Sequence, residues 1–514
     1  MNHLIRLLHN FTLLTRTQRT STKPMIKLFP QLPEELNVAI LSQTDLSSQK
    51  NLRLTNRHAN ILLSDNSNPS LILKSLGTLK VNESKINDEG SFSRLCEYLC
   101  LPGCRVRSLD LSHTNLHGEK FQKLMLALEE NRSVSRLNIS ACKLQDEDLE
   151  HIGRFTNIES LDISSNEIGP KGAKHLPKFS SLIDLNISRN QLGAEGAKYI
   201  ARMKSLKVLN FGYNSIGKGG LVSVEGAKYL SELVNLTSLD LTNNVIEDEG
   251  IQYLGGKLHQ LTELYLDRNR VTSNGVLYIA NTFTRLIKLD LQCSEATSVA
   301  IKQISKKLKQ LTNLNLSFSD ITDEGIKYIA HGLQNLVELN LSGSDITDEG
   351  VKFIADNLKQ LVELNLSSTK VTDEGVKSIA DNLKQLVKLN LSSTKVTDDG
   401  IEDIVNNLNF LTSLSISCRK VSDKGVRSIA NNLKQLTNLD LSRADITDEG
   451  VKSIADNLKQ LVELYLSYTK ITDEGVKSIA DNLKQLTTLA LSRADITDEG
   501  VKSIADNLKQ LVKL

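Results

Sequence analysis

Apolar residues fall in two alternating spacings along most of the chain. In Leu361 to Gln385, LVELNLSSTKVTDEGVKSIADNLKQ, the leucines at 361, 364 and 366 alternate with polar Glu363, Asn365 and Ser367. That is the period of a strand whose two faces differ. After Val371 the spacing lengthens, and Val376, Ile379, Ala380 and Leu383 fall at i, i+3, i+4 and i+7. This predicts one stripe of an amphipathic helix. Thr372 is a suitable N-cap, with Asp373 and Glu374 following at the positive end of the helix dipole. Asp373 and Lys377 also make an acid-before-base pair four residues apart, repeated as Asp448 with Lys452, Asp473 with Lys477 and Asp498 with Lys502.

The same unit returns with a fixed step. Leu441 to Val462 recurs letter for letter at Leu491 to Val512, with a sister copy between them, so the repeat is 25 residues long. Counting Val81 first, strand positions stand at Leu111, Ile139, Ile163, Ile187 and Phe211, then every 25 residues from Leu241 to Leu491, 17 in all. One repeat cannot bury its leucines alone, and each buried aliphatic side chain contributes roughly 1.5–3 kcal/mol, so neighbours must stack. The expected fold class is α/β: a solenoid with a parallel sheet on a concave inner face and helices on the convex outer face.

Three irregularities qualify this picture. The step from Phe211 to Leu241 is 30 residues, and the surplus Gly217 to Val224 is expected to project as a loop near one rim. After Leu291, Ala296 replaces the core Ile or Val and Ser298-Val299-Ala300 replaces DEG, which predicts a local weak point or kink. The chain stops at Leu514 within a strand position and shows no atypical polar closing unit, so the array is expected to be truncated or to have its end covered by a partner.

The pattern LxxLxLSxxxITDEG resembles the leucine-rich repeat, especially the versions in F-box proteins, over about residues 73–514. Gly172-Ala173-Lys174-His175-Leu176, Gly196-Ala197-Lys198-Tyr199-Ile200-Ala201 and Gly226-Ala227-Lys228-Tyr229-Leu230 resemble its GALA form. The resemblance implies that the residue after LxxLxLxx ties neighbouring loops together. Here it is Asn166, Asn190, Asn214, Asn244 and Asn269, once Cys142, and later Ser344, Thr369, Thr394 and Thr469. Arg419, Ala444 and Ala494 lack such a group.

Ahead of the repeats, residues 32–72 are expected to form a small all-α head, with apolar stripes at Leu36, Ile40 and Leu41 and again at Leu52, Leu54, Ile61, Leu62 and Leu63. About 40 residues hold too small a core to stand alone, so the head is expected to lean on a partner or on the first repeat. It resembles the F-box at Leu32, Pro33, Glu35, Leu36, Ile40, Leu41, Asp45, Leu46, Leu52, Leu54 and Arg57. It departs at Asn56 (usually Cys), Ala59 (usually Trp) and Thr44 (usually apolar). The resemblance implies docking of Leu32, Pro33, Glu35, Leu36, Ile40, Leu41, Leu52, Leu54 and Arg57 to the Skp-type adaptor, and through it the cullin scaffold, of a ubiquitin ligase. The competing reading is a plain N-terminal cap of the solenoid. Residues 1–31 carry Arg6, Arg16, Arg19, Lys23 and Lys27 and no acid. That leader reads as an organelle presequence, as a disordered segment, or as sequence upstream of a start at Met25.

Composition narrows the function. A net charge of +1 supplies no field to draw nucleic acid, and 4% aromatic residues without Trp argue against base-stacking platforms. No run reaches the length of a membrane span. The scattered cysteines suit a reducing, cytoplasmic compartment, and Cys96, Cys100 and Cys104 have no matching pair to complete a metal site. Gly212 to Lys218 fits GxxxxGK, but Gly219 stands where a magnesium-binding Ser or Thr is needed. The recurrent DEG carboxylates are explained by their own helix starts, and the nine histidines form no HExxH pair. The sequence therefore predicts no enzyme, metal or cofactor, and function becomes a question of surface.

The expected anchors for a protein target are Glu263, Tyr265 and Asp267, then Glu463, Tyr465 and Ser467, on the concave face, with Arg268, Phe318, Arg443, Tyr468 and Arg493 in the adjoining loops. The leading expectation is a substrate-recognition subunit of a cullin-RING ubiquitin ligase. Its rivals are an interaction scaffold or inhibitor without a ubiquitin link, and an effector delivered by bacteria into the host cytoplasm, as GALA-type F-box proteins are.

Overall fold

The computed structural model describes residues 77–81, 88–101, 104–152, 155–214 and 224–514; the leader, the head and nearly all of the glycine-rich insertion lie outside the described residues. Contacts divide the chain at Asn210 and Phe211 into two units. The first carries six three-residue strands, Thr78–Lys80, Ser108–Asp110, Arg136–Asn138, Ser160–Asp162, Asp184–Asn186 and Val208–Asn210, each parallel to and in register with the next. The second carries eleven, from Ser238–Asp240 to Thr488–Ala490, paired in the same way. Among the described residues, seventeen strands therefore stand at the expected positions.

The middle leucine of each strand points into the core, stacked on the equivalent leucine of its neighbour. The flanking leucines, such as Leu361 and Leu366, lie just outside the strand but are fully buried. Behind each strand the apolar helix stripe closes the core: Val376, Ile379 and Ala380 are 0% exposed. From Ser273–Thr282 onward the helices hold ten residues each. In the first unit three are shorter, Asp146–Glu150, Pro170–Ala173 and Gly193–Ile200; Pro170–Ala173 opens on a proline that suits a first turn and runs on into the 3-10 turn Leu176–Lys178.

Thr372 caps its helix as expected, accepting a hydrogen bond from the Glu374 amide. The aspartate of the DEG triplet stands in the first turn of its own helix as expected and also makes a second, unexpected contact. Asp348 accepts from the Thr372 amide at 2.8 Å, the Thr372 hydroxyl at 2.6 Å and the Gly375 amide at 3.1 Å. It thus caps the helix of the following repeat, taking the part that a residue three positions into a helix plays in a capping box. The same clamp joins Asp248 to Thr272, Asp323 to Thr347, Asp373 to Thr397, Asp398 to Ser422, Asp423 to Thr447, Asp448 to Thr472 and Asp473 to Thr497. The four acid-before-base pairs with lysine are not among the ion pairs of the described residues. A half-buried charge-assisted bond to backbone amides outweighs an exposed ion pair.

The clamp also explains the glycine. A Cβ at Gly375, Gly400, Gly425, Gly450 or Gly475 would come within 3.0 Å of the preceding repeat's aspartate oxygen. At one repeat the slot holds Ala300, and there the residue in the aspartate's place is Ser273. The expected kink in that region is not seen. The strand Lys288–Asp290 stays in register with Asn313–Asn315, the helix Ser298–Lys307 keeps all ten residues, and Ala296 is fully buried. What is lost is charge: the Thr297 amide reaches only the Ser273 hydroxyl at 3.1 Å, and Ser298 meets Thr322 through hydroxyls 3.5 Å apart.

Two further ladders knit the repeats. At the helix C-termini, Lys359 donates to Ala355 O at 2.7 Å and to Asn382 Oδ1 of the next repeat at 2.8 Å, a pattern repeated by Lys384, Lys434, Lys459 and Lys484. Behind the strands, Asn166 donates to Ile139 O and Ile163 O while its carbonyl accepts from the Cys142 and Leu144 amides. Asn190, Asn244 and Asn269 repeat that reach. Thr369, Thr394 and Thr469 bond only to carbonyls of their own repeats, except that Thr394 also meets Cys418 Sγ at 3.5 Å. Arg419 is not the ladder position of its repeat: the turn there is one residue tighter, and buried Cys418 fills the slot with its sulfur 3.3 Å from Leu391 O.

The clamp makes a direct prediction. Gly375→Ala should destabilise the Asp348 protein by about 1–3 kcal/mol through overpacking. In an Asp348→Ser background it should cost roughly 1 kcal/mol less, because contacting sites couple. Hydrogen exchange at the backbone amides of positions 372 and 375 measures both; equal costs in the two backgrounds would refute the steric account.

Candidate interaction surface

Each strand of the second unit exposes its first and third residues on the side away from the helices. Over successive strands these side chains line a shallow trough, with Tyr265, Asp290, Asn315, Asn340, Asn365 and Asn390 along one row. Its floor is polar and internally bonded: Asn315 donates to Asp290 at 3.0 Å, and Lys288 pairs with Glu263 at 3.1 Å.

At one end of the trough the register sets Asp240, Tyr265 and Asp290 side by side on adjacent strands. The Tyr265 hydroxyl lies 3.3 Å from Glu263 Oε2. Burial first, and then the charge of Glu263, push the Tyr265 phenol up to about 12. Burial and the neighbouring aspartates also raise Asp267, and burial chiefly raises Asp290. One oxygen of Asp267 is buried without a hydrogen-bond partner, and the other lies 3.8 Å from Arg268. Glu263, Tyr265 and Asp267 thus form one acidic spot, flanked by the cations Arg268 and Lys288.

The five loop candidates share one place in the repeat. Arg268, Phe318, Arg443, Tyr468 and Arg493 occupy the corner just after a strand, with φ of 52°, 52°, 63°, 61° and 59°. This left-handed conformation is unfavourable for L-residues. It is held by the next repeat: the Phe318, Arg443 and Tyr468 amides donate to the carbonyls of Ser342, Ser467 and Ser492 at 2.7–2.8 Å. The turn projects the side chains outward, leaving Phe318 58% and Tyr468 50% exposed. Beside Phe318 the corner residue is Gly343, at φ 68°, where a Cβ would collide with the phenyl ring.

The structure brings three of these residues together. The guanidinium carbons of Arg443 and Arg493 lie 5.3 and 5.5 Å from the centre of the Tyr468 ring. Arg419 and the Lys470–Asp445 pair adjoin this stack. Glu463 and Tyr465 stand on the strand of the same repeat as Tyr468, the Tyr465 hydroxyl 3.1 Å from Glu463, with Ser467 leading into the corner. Phe318 belongs to neither cluster; Gly343, Ser368 and Ser393 are the small corner residues between it and Arg443. Residue type alone did not find Asp240, Asp290, Arg419 or Lys470. Stepping by 25 from Tyr265 and inspecting the neighbours of Tyr468 would have. The adaptor-binding set, Leu32 to Arg57, lies outside the described residues.

A family model described as Leucine Rich repeat matches eleven segments: 156–176, 180–201, 202–224, 233–255, 308–330, 332–355, 359–380, 384–405, 433–455, 459–480 and 483–505. The chain is a leucine-rich repeat protein. The matched segments all lie at or beyond residue 156, so none covers the head. No curated protein matches the chain. Among solved structures, an internalin (InlF) from Listeria monocytogenes is 24% identical, covering 72% of this chain and 88% of that one, with a TM-score of 0.40. The yeast Rad7 and Elc1 complex is 17% identical, covering 67% and 82%, with a TM-score of 0.45. The plant peptide hormone receptor RGFR1 in complex with RGF2 is 14% identical, covering 80% and 89%, with a TM-score of 0.33. At these scores nothing about function carries across. Among the described residues no helix of this leucine-rich repeat protein is long and apolar enough to cross a membrane, and no group of three or more His, Cys, Asp or Glu is placed to hold a metal ion.

The acidic spot has a measurable signature. Because the folded-state phenol of Tyr265 binds its proton more tightly than the unfolded one, its contribution to stability is intact below pH 10 and is lost as pH rises from 10 to about 12. Glu263→Gln should bring the Tyr265 midpoint down toward the usual tyrosine value. NMR titration of the Tyr265 ring carbon checks this, and an unmoved midpoint would refute the share of the shift assigned to Glu263, leaving burial as its cause.

Proposed function

We propose that the protein is a non-catalytic target-recognition subunit of a cullin-RING ubiquitin ligase, working in the cytoplasm. The leucine-rich repeat array is an interaction scaffold, and the finer reading adds a Skp-type adaptor bound by residues 32–72 and a protein target held by the array. The observation that carries the target-binding half is the exposed strand face with its corner row. Four of its corner anchors, Arg268, Phe318, Arg443 and Tyr468, are lodged by hydrogen bonds to the next repeat, and Phe318 and Tyr468 project into solvent, which suits contact with an extended partner surface. The adaptor-binding half is supported by the sequence of the head, whose LPEEL start, Ile40-Leu41 pair and Arg57 resemble an F-box immediately ahead of the repeats.

A second reading, a scaffold or inhibitor without a ubiquitin link, is favoured by Asn56, Ala59 and Thr44, where the head departs from that resemblance. Capture of the full-length protein on immobilised Skp adaptor separates the two. Wild type should be retained, and Leu36→Asp/Ile40→Asp should reduce retention by roughly tenfold or more, as loss of buried hot-spot residues does. If wild type and variant are retained equally, or neither is, the scaffold reading stands and the ligase reading falls.

A further inference from the structure

We infer that the corner row Arg443, Tyr468 and Arg493 is a docking site for an acidic peptide tract on the protein target. The inference deepens the reading of the array as target-binding and is independent of what the head binds.

The argument begins with unused charge. Neither Arg443, Arg493 nor Arg419 has a carboxylate partner among the described residues, and the acid that lines the depression beside Tyr468, Asp445, is paired with Lys470 at 2.6 Å. The depression beside Tyr468 is therefore walled by Arg419, Arg443 and Lys470 against that single acid. This is local: the whole chain has a net charge of only +1.

Arg443 and Arg493 are also held in place without being neutralised. They come from the repeats before and after Tyr468, so their guanidinium groups flank its ring from its two neighbours along the stack, at 5.3 and 5.5 Å from the ring centre. A cation over an aromatic face keeps its charge and its N–H edge. The corner amides of Arg443 and Tyr468 are fixed by carbonyls of the following repeats, so the backbone beneath two of the three is set as well. Two forks held this way are ready to take carboxylates in paired hydrogen bonds, and little side-chain freedom remains to be lost on binding.

Spacing says what kind of anion fits. Two strand separations, about 9–10 Å, lie between Arg443 and Arg493, a distance an extended peptide crosses in about three residues. A tract of aspartates or glutamates matches that interval, one carboxylate to each fork. Nucleic acid is the other polyanion to weigh. Binding of single strands relies on open aromatic faces for bases, whereas the ring of Tyr468 is already shared by two guanidinium groups.

The test uses the full-length protein and fluorescence anisotropy with three labelled probes: octaglutamate, octalysine and an oligothymidylate. Octaglutamate should bind, weaken with added salt, and lose roughly tenfold or more in affinity in Arg443→Glu/Arg493→Glu. The variant Arg443→Lys/Arg493→Lys, which keeps the charge but not the fork, should fall between. Lys377→Glu/Lys452→Glu on the helix face should bind as wild type. Circular dichroism establishes that each variant is folded. The proposal is overturned if wild type does not bind octaglutamate, if charge reversal at 443 and 493 leaves binding unchanged, or if the oligothymidylate binds more tightly through the same two arginines. Because anisotropy reads the array and adaptor capture reads the head, either result can fail without obscuring the other.

Discussion

A carboxylate that leaves its own helix to satisfy the amides of the next one sets the terms on which these repeats can stack. Asp348 reaches Thr372 and Gly375, and seven other residues from Asp248 to Asp473 repeat the contact. The first amides of any helix lack partners within it. Here the neighbour supplies them, so a repeat is finished only when another is seated against it. The apolar stripe and the Lys–Asn bridge at the opposite helix end follow the same rule. The strand face is free to vary because the bonds that fix the stacking lie in the backbone ladder, the turns and the helix ends.

That freedom shapes the candidate site. Through the middle of the trough the third position of each strand holds asparagine and the first holds Glu338, Glu363 and Lys388, while the strand tyrosines stand at Tyr265 and Tyr465. The corner conformation matters most, because a residue at φ near 60° held by the next repeat's carbonyl projects its side chain clear of the sheet. Tyr468 and its two arginines become a stack because the same corner recurs in three successive repeats.

Much of this was legible in the sequence. The alternation around Leu364 and the i, i+3, i+4, i+7 stripe through Val376 give one strand and one helix, and the 25-residue step orders them into a parallel array. What the sequence hid was direction. When every residue recurs 25 positions later, Asp373 with Lys377 inside one repeat and Asp373 with Thr397 across two are equally visible as patterns. Only the distances between stacked backbones choose between them. One clue was available: Ala300 occupies the glycine slot where Ser273, not an aspartate, precedes it. The substitution of Cys418 for Arg419 was illegible for a related reason, since a turn one residue tighter leaves the period intact. The anchors were legible by type, as Tyr and Arg, but their grouping was not, because Phe318 and Tyr468 look alike until the small residues between them are placed.

The identical copies Leu441 to Val462 and Leu491 to Val512 are what put an arginine on each side of Tyr468. Wherever coding sequences for such copies match closely, misaligned recombination adds or removes whole repeats, and each event inserts or deletes a ready-made rung. Such a chain can change length in fixed increments, because a joint built on the aspartate clamp accepts any repeat that carries the matching cap.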